Sequence, residues 1–326
     1  MPTVSVIIPC YNEEHTIGAL LMAIHNQSYP LEELEVVVAD GLSIDRTREE
    51  INQFQTTYPD LKVNVVDNPK KNIPSGLNRA LEAAVGEYII RLDAHSIPYP
   101  DYIQRCVEDL IRGAGDSVGG IWEINPGGDG WIAQAIALAA AHPFGVGDAR
   151  YRVGGKAQFV ETVPFGAFKR TLIEKIGGFN ESLLTNEDYE FNVRIKLSGG
   201  GIWFDPAIRS KYFARSSLSA LARQYWRYGF WKARMLRKYP GTIRWRQFIP
   251  PLFVLSLIVL LIIGFFYPPV LVFWSLEMLV YLLFLFYFGL QCAMRMRDWR
   301  MIPGVAVSMV VMHIFWGSSF IWSLIT

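Results

Sequence analysis

The spacing of apolar positions changes twice along this chain, and each regime predicts a different kind of element. Up to residue 92, short β-branched runs at 4–8, 34–38, 63–66 and 88–92 alternate with stretches at 13–26, 45–56 and 74–85 whose apolar residues recur every three or four positions. Runs that are apolar throughout read as strands buried on both faces, and their alternation with helices predicts βαβ units on a parallel sheet. From 216 to 239 aromatic and basic residues interleave at helical spacing. Beyond 247, the stretches 248–267, 270–290 and 302–325 are almost uninterrupted by charge. At 1.5 Å rise per residue each is long enough to cross a hydrocarbon core about 30 Å thick, so three transmembrane helices are expected. Pro268-Pro269 makes the first connection a tight turn, which predicts that the first two run antiparallel.

Composition sharpens this division. With 326 residues, 51% of them hydrophobic and 19% charged, the chain is too apolar for disorder and too varied for a collagen-like or low-complexity protein. The net charge of +1 conceals a segregation. Residues 1–205 carry 17 basic and 28 acidic side chains, 206–247 carry eleven and none, and 248–326 carry three and two. Three regions follow: an α/β domain over 1–215, a basic aromatic collar over 216–247 and a transmembrane region over 248–326. Cys10, Cys106 and Cys292 are odd in number and far apart, which excludes a disulfide framework and a zinc cluster and favours a reducing compartment.

Orientation is read from the basic residues. Arg234, Arg237, Lys238, Arg244 and Arg246 precede the first apolar stretch, while Arg295, Arg297 and Arg300 separate the second from the third. Placing both clusters inside predicts a multi-pass protein of the plasma (inner) membrane, its α/β domain cytoplasmic and its C-terminus on the opposite side. No basic segment precedes an apolar run at the start, so no signal peptide is expected. Glu277 is expensive in lipid and is expected to face the helix bundle or another protein. Deleting 248–326 is expected to leave a soluble domain.

In parallel sheets ligands bind beyond the carboxyl ends of the strands. There the chain is unusually polar: Pro9-Cys10-Tyr11-Asn12-Glu13-Glu14 after the first strand, Asp40-Gly41-Leu42-Ser43-Ile44-Asp45 after the second, Asp93-Ala94-His95 after the fourth. A rim carrying Glu13, Asp40, Asp93 and His95 has excess negative charge and calls for a cation. The two-residue spacing of Asp93 and His95 can present both to one ion, with carboxylate suiting Mg²⁺ or Mn²⁺ and imidazole tilting the choice toward Mn²⁺. Asn12 or Glu13 could instead cap a helix, and Asp45 before Thr47 reads as an N-cap. Neither a GxGxxG after the first strand nor a P-loop motif is present, which leaves a dinucleotide enzyme or a P-loop NTPase without support.

The blocks VSVIIPCYNEEHTI, VVVADGLSIDRT, NIPSGLNRALEAAVGEYIIRLDAHS and FGAFKRTLIEKIGGFNESLLTNEDYEFNVRIKLSGG, in this order over about residues 3 to 230, resemble those of the family 2 glycosyltransferases. Asp93-Ala94-His95, the Tyr-Pro that follows and the apolar tail look most like the membrane-anchored succinoglycan-type glucosyltransferases. The resemblance implies a GT-A fold and an inverting, metal-dependent transfer of a hexose, glucose first, from a UDP-sugar. The acceptor would be a polyprenyl-linked or polysaccharide molecule in cell-surface or exopolysaccharide synthesis. It further implies that Pro9, Tyr11 and Glu13 hold the nucleoside, that Asp40 accepts a hydrogen bond from uracil, and that Asn72, Asn78 and Arg79 lie near the nucleotide. Asp93 and His95 would hold the ribose and the Mn²⁺ or Mg²⁺ ion. His95 stands where the family carries a second Asp, and Gly41 where many members carry another.

The same resemblance makes Asp188, in Asn186-Glu187-Asp188, the general base on the acceptor hydroxyl, with Glu187 positioning the acceptor. An alcohol attacking the anomeric carbon must lose a proton, and a carboxylate in reach can take it. An acidic helix start is the plain structural reading of the same residues. Gln224, Arg227 and Tyr228 resemble the QxxRW motif of processive synthases, which implies contact with the acceptor sugar and the pyrophosphate. An amphipathic helix on an anionic membrane surface explains those residues equally, and both readings can hold together. Nucleic acid is not expected beside a membrane span. Three other readings remain open: a processive polysaccharide synthase, a catalytically silent nucleotide-sugar-binding assembly subunit, and a lipid or sugar transporter component. Self-association into a homo-oligomer, or membership of an assembly complex, stays open with them.

Overall fold

The structure is a computed structural model and describes residues 3–242 and 244–326. The first 91 residues wind as the apolar pattern requires, through β1 (Val4–Cys10), α1 (Ile17–His25), β2 (Leu34–Asp40), α2 (Thr47–Thr57), β3 (Lys62–Asp67), α3 (Ile73–Ala83) and β4 (Tyr88–Arg91). Every residue of β1 and β2 is buried, which is why neither strand alternates polar with apolar positions. The expected helix from 13 begins later, at Ile17. Asn12 takes a positive φ of 55°, and the Glu13 carbonyl accepts from the backbone of Thr16 and Ile17, so 12–16 forms a turn.

The chain continues through β5 (Ser96–Pro98), α4 (Tyr102–Ile111), β6 (Ser117–Asn125), α5 (Trp131–Ala140), α6 (Pro143–Val146), α7 (Arg150–Val153), β7 (Gln158–Phe159), β8 (Ala167–Lys169), α8 (Arg170–Ile176), α9 (Glu187–Leu197) and β9 (Ile202–Phe213). β1 pairs in parallel with β2 and β4, β2 with β3, and β8 joins β4 antiparallel. The order across the sheet is β3-β2-β1-β4-β8-β6-β9-β5, with β7 beside β9. One face buries Leu20 and Ile24 of α1, Ile51 of α2 and Ile103 of α4 against Val6, Ile8 and Val36. The other buries Leu77 of α3, Leu172 of α8 and Phe191 of α9 against Ile7 and Val37. The successive strands β1, β2 and β3 run to one side and β4 returns on the other, so the switch point lies between β1 and β4. The loops beyond those two strands flank the crevice in which such sheets bind ligands.

Two compact units emerge: the chain up to Glu123 with Arg150–Tyr212, and Ile124–Ala149 with Phe213–Thr326. The expected boundary at 215 thus falls at 212, and 124–149 leaves the α/β part. The reason lies in α5, an alanine-rich helix that packs within the second unit.

That second unit contains α10 (Leu218–Lys238), α11 (Trp245–Phe266), α12 (Leu271–Met296) and α13 (Met301–Ile325). The segments Trp245–Phe266, Pro268–Met296 and Met301–Ile325 are each long and apolar enough to cross a membrane. Their few polar groups face one another, as expected of Glu277: its Oε1 accepts from Ser256 Oγ at 2.6 Å. Tyr281 OH and His313 Nδ1 meet at 2.9 Å, and His313 Nε2 donates to the Phe144 carbonyl at 2.9 Å. α5 lies so close to α13 that a Cβ on Gly304 would come 2.7 Å from that of Ala135.

Along the other half of α13 runs α10. A Cβ on Gly229 would sit 2.2 Å from the Trp316 carbonyl, an approach only glycine permits. Further along, Arg237 donates to the Ser323 carbonyl in the last turns of α13. Arg300 precedes the first turn of that helix. Arg237 and Arg300 thus lie at opposite ends of α13, while Arg246, in the same basic cluster as Arg237, lies against Gly147.

Candidate active site

The loops after β1 and β2 are stapled together by side chains. Asn12 N donates to Ser43 Oγ at 2.9 Å, and Asn12 Oδ1 accepts from Ile44 N at 3.0 Å. Glu13 N donates to Thr47 Oγ1 at 2.8 Å, while Asp45 accepts from Thr47 N at 3.0 Å and Glu14 N at 3.2 Å. Asp45 thus receives the first N–H of α2 although Arg46, not Asp45, is its N-cap residue, and Asn12 binds the loops instead of capping α1.

Pro9 is buried at the end of β1, and Tyr11 stands out from the loop beyond it, half-exposed. The ring of Tyr11 covers Gly41, where a Cβ would come 3.0 Å from Tyr11 Cδ2 and 3.3 Å from the Cys10 carbonyl. A side chain at 41 would require Tyr11 to give by a few tenths of an ångström. Lys71 Nζ lies 5.6 Å from the ring centroid.

Asp40 is fully buried, and both its oxygens are engaged. Arg48 Nε donates to one at 2.5 Å and Ser43 Oγ to the other at 2.5 Å, and Arg48 also reaches Asp67 at 2.5 Å. Here Asp40 organises the rim. Asn72 caps α3, accepting from Ser75 N at 3.0 Å. Asn78 clamps α3 to the chain before α9 through Phe179 N and O and through Glu181, and Arg79 pairs with Glu82 on the same helix. All three thus have partners within the protein, Asn78 across about 100 residues of chain.

Across the switch point, Glu13 Oε1 and His95 Nδ1 lie 3.1 Å apart, and Thr16 Oγ1 donates to Glu13 Oε2 at 2.5 Å. Burial alone would raise the Glu13 carboxyl, but the bonds from His95 and Thr16 outweigh it and hold the group below its ordinary value. Asp93, about one-fifth exposed, receives Arg91 Nη2 at 3.1 Å. The same nitrogen donates to Glu187 Oε1 at 2.8 Å. Glu187 and Asp188 open α9 directly after Asn186, whose φ is +66°. Burial raises the Glu187 carboxyl; Arg91 opposes that effect and Asp188 adds to it. Asp188 is more open than Glu187 and accepts from Tyr189 N at 2.7 Å.

The α/β unit therefore gathers Glu13, Asp93, His95, Glu187 and Asp188 through direct contacts or through Arg91. Gln224, Arg227 and Tyr228 belong to α10 in the second unit, where Gln224 Nε2 donates to Tyr228 OH at 3.0 Å and Arg227 is exposed. Sequence reasoning missed Arg91 and Arg48. For Arg91 a signal existed, since an arginine inside the otherwise apolar run Tyr88-Ile89-Ile90-Arg91-Leu92 needs a buried partner. Among the described residues no group of three or more His, Cys, Asp or Glu side chains is arranged to hold a metal ion. Asp93 and His95 still suit a hard cation whose remaining ligands come from phosphate oxygens and water.

Comparison with known proteins agrees with the α/β fold. The sequence profile described as Glycosyl transferase family 2 matches residues 5–177. The succinoglycan biosynthesis protein ExoA of Rhizobium meliloti is 32% identical over 247 residues, covering 75% of this chain and 73% of that protein. A Methanococcus voltae protein described as a dolichyl N-acetyl-α-D-glucosaminyl phosphate 3-β-D-2,3-diacetamido-2,3-dideoxy-β-D-glucuronosyltransferase is 29% identical, covering 75% and 77%. Among solved structures, a mannosyltransferase from Pyrobaculum calidifontis, in complex with GDP-Man and Mn²⁺, superposes with a TM-score of 0.61 at 22% identity over 95% of this chain and 87% of that one.

Proposed function

Because this chain belongs to glycosyl transferase family 2 and so acts on nucleotide sugars, we propose that it inverts and transfers a hexose, glucose first, from a UDP-sugar to a lipid-linked or polysaccharide acceptor. The observation that carries this reading is the gathering, at the carboxyl ends of β1 and β4, of Glu13 with His95 and, through Arg91, of Asp93 with Glu187 beside Asp188. One side offers ligands for a nucleoside diphosphate, and the other a base for an alcohol. ExoA, by its description, serves succinoglycan biosynthesis, and the Methanococcus protein is described as acting on a dolichyl-linked sugar phosphate. The second description favours an acceptor presented at a membrane, the first a polysaccharide.

Roles follow from chemistry. Pro9 and Tyr11 border the nucleoside, and Asp93 and His95 are the residues that would hold Mn²⁺ or Mg²⁺. The Glu13 carboxylate on His95 Nδ1 is the kind of partner that orients a metal-ligating imidazole, making Nε2 the coordinating atom. When bound, the ion supplies charge neutralisation for the leaving diphosphate. Asp188 takes the proton from the acceptor hydroxyl as that oxygen attacks the anomeric carbon from the face opposite the diphosphate. A single displacement inverts the centre and needs no carboxylate nucleophile.

On α10, Gln224, Arg227 and Tyr228 would meet the acceptor sugar or the pyrophosphate. The exposed basic residues of that helix suit anionic lipid. We place the α/β unit on the cytoplasmic side of the inner membrane on the strength of the basic residues around the apolar helices.

The test is UDP or GDP release by the purified chain in detergent, with Mn²⁺ and a panel of nucleotide sugars, with and without a membrane lipid extract. Release from UDP-glucose that rises with the extract is the expected result. Release from GDP-mannose alone would replace the donor, and no turnover with any sugar and extract would favour a silent binding subunit.

A further inference from the structure

Arg91 is a charged residue at the end of a strand whose Ile89 and Ile90 are fully buried, and it is itself 5% exposed. Its Nη2 makes both acidic contacts, to Asp93 at 3.1 Å and to Glu187 at 2.8 Å. The Phe179 ring covers the guanidinium at 5.9 Å. Nε and Nη1 are buried without a hydrogen-bond partner among the described residues. A void of about 10 Å³ is bordered by Arg91, Asp188, Asn192 and Ser117, whose hydroxyl is likewise without a partner.

Stability alone does not call for this arrangement. Exchanging the whole buried set for apolar side chains of similar volume is often neutral or favourable, whereas replacing Arg91 alone would leave Glu187 buried without its partner. What an apolar side chain could not do is connect the two acids. Asp93 lies just past β4 and Glu187 at the first turn of α9, and one guanidinium nitrogen, held in place by the rigid plane of the group, donates to both.

We propose that Arg91 is a positioning residue, locking the donor-side carboxylate Asp93 to the first turn of α9 so that Asp188 is held at a set distance from the nucleotide sugar. The proposal rests on the reading of Asp93 and Asp188 given above. Arg91 touches neither substrate in this scheme. It acts by keeping the two halves of the site in register, and a misplacement of about 1 Å between reacting groups can cost on the order of 100-fold in rate.

The experiment compares the full-length chain in detergent with Arg91→Lys, Arg91→Met, Glu187→Gln, Asp188→Asn and the double variant Arg91→Lys/Glu187→Gln. It reads sugar transfer to the lipid extract, the donor KM, UDP affinity by calorimetry with Mn²⁺, and the melting temperature. Lysine keeps the charge but carries it on a flexible stem, without the rigid plane that fixes Nη2 between the two acids. Arg91→Lys is therefore expected to lower kcat by about 100-fold while donor KM and UDP affinity change less than about 3-fold and melting is little altered. The double variant is expected to be no slower than the slower single, because both substitutions cut the same link.

Unchanged kcat in Arg91→Lys, or losses in the double variant that multiply, would overturn the proposal. So would a rate loss that follows the melting temperature across variants. Arg91→Met supplies the wholly uncharged case; if it does not fold, Arg91→Lys alone decides. Failure of the underlying reading looks different: Asp188→Asn would then keep its turnover, whatever Arg91→Lys does.

Discussion

Arg91 Nη2 and Glu187 Oε1 lie 2.8 Å apart, although 96 residues separate them in the chain, and both side chains are almost completely enclosed. This pair connects the end of a central strand to the start of α9. Because each charge is desolvated, loss of one partner leaves the other buried alone, at a cost of about 3–5 kcal/mol. The acid that opens α9 is therefore held in place by a strand on the nucleotide side of the site.

Asp188→Asn tests the base directly. A positioned general base contributes about 100- to 10,000-fold, so transfer to the acceptor is expected to fall at least 100-fold with UDP binding and melting temperature retained. Near-normal turnover in a folded variant would remove Asp188 from the chemistry.

Glu13→Gln tests the metal arrangement through its outer partner. Carboxylates behind a ligating histidine are worth about 10- to 100-fold in metal affinity or activity, so the Mn²⁺ concentration for half-maximal activity is expected to rise about 10-fold. Chelator should abolish turnover in the parent chain, and Mn²⁺ should restore it. Full activity in chelator would overturn the metal role of Asp93 and His95.

Asp109 makes a pH prediction for the α/β unit. Burial pushes its carboxyl up to about 6 from an ordinary 3.8, with Arg112 opposing the shift and Asp205 adding to it. The folded state then holds a proton that the unfolded chain releases, so the strain is absent below about pH 4 and fully present above about pH 6. Stability contributed at this position falls as pH rises through that window, by about 3 kcal/mol at most. Asp109→Asn is expected to raise the melting temperature at pH 8 and leave it nearly unchanged at pH 4. An equal effect at both would refute the assignment.

Truncation at residue 247 should not give the soluble domain that the apolar pattern alone suggested. Within the second unit, α5 buries Ala133, Ala135 and Ile136, and Trp131 packs on Gly304 of α13. Without α11–α13 this surface meets water, and size-exclusion chromatography is expected to show aggregation. A monodisperse monomer that binds UDP would contradict the packing.

The C-terminus offers a topological test. Arg237 bonds to the Ser323 carbonyl, so the exposed basic residues Arg234, Arg237 and Lys238 accompany the end of α13. Three consecutive spans nevertheless put the start of α11 and the end of α13 on opposite faces, so a cysteine at Thr326, in a chain lacking its other three, is expected to react with an impermeant thiol reagent from the side opposite the α/β unit. Labelling only from the cytoplasmic side would overturn the orientation expected from the sequence.

What the sequence determined by itself is whatever local periodicity encodes. The four parallel strands, the polar loops beyond them that hold Glu13, Asp40, Asp93 and His95, and the three long apolar helices were all legible, because a buried strand and a lipid-length helix each impose a repeat on consecutive residues. The acidic pair Glu187-Asp188 was legible only through its resemblance to a family block, since an acidic first turn is also ordinary helix chemistry. Tertiary structure decided the rest. Asp40 turned inward to Arg48, Asn72 became a cap, α5 joined the membrane helices, and Arg91 found Glu187. Each of these depends on which distant residue packing brings within about 3 Å, and no spacing along the chain carries that distance.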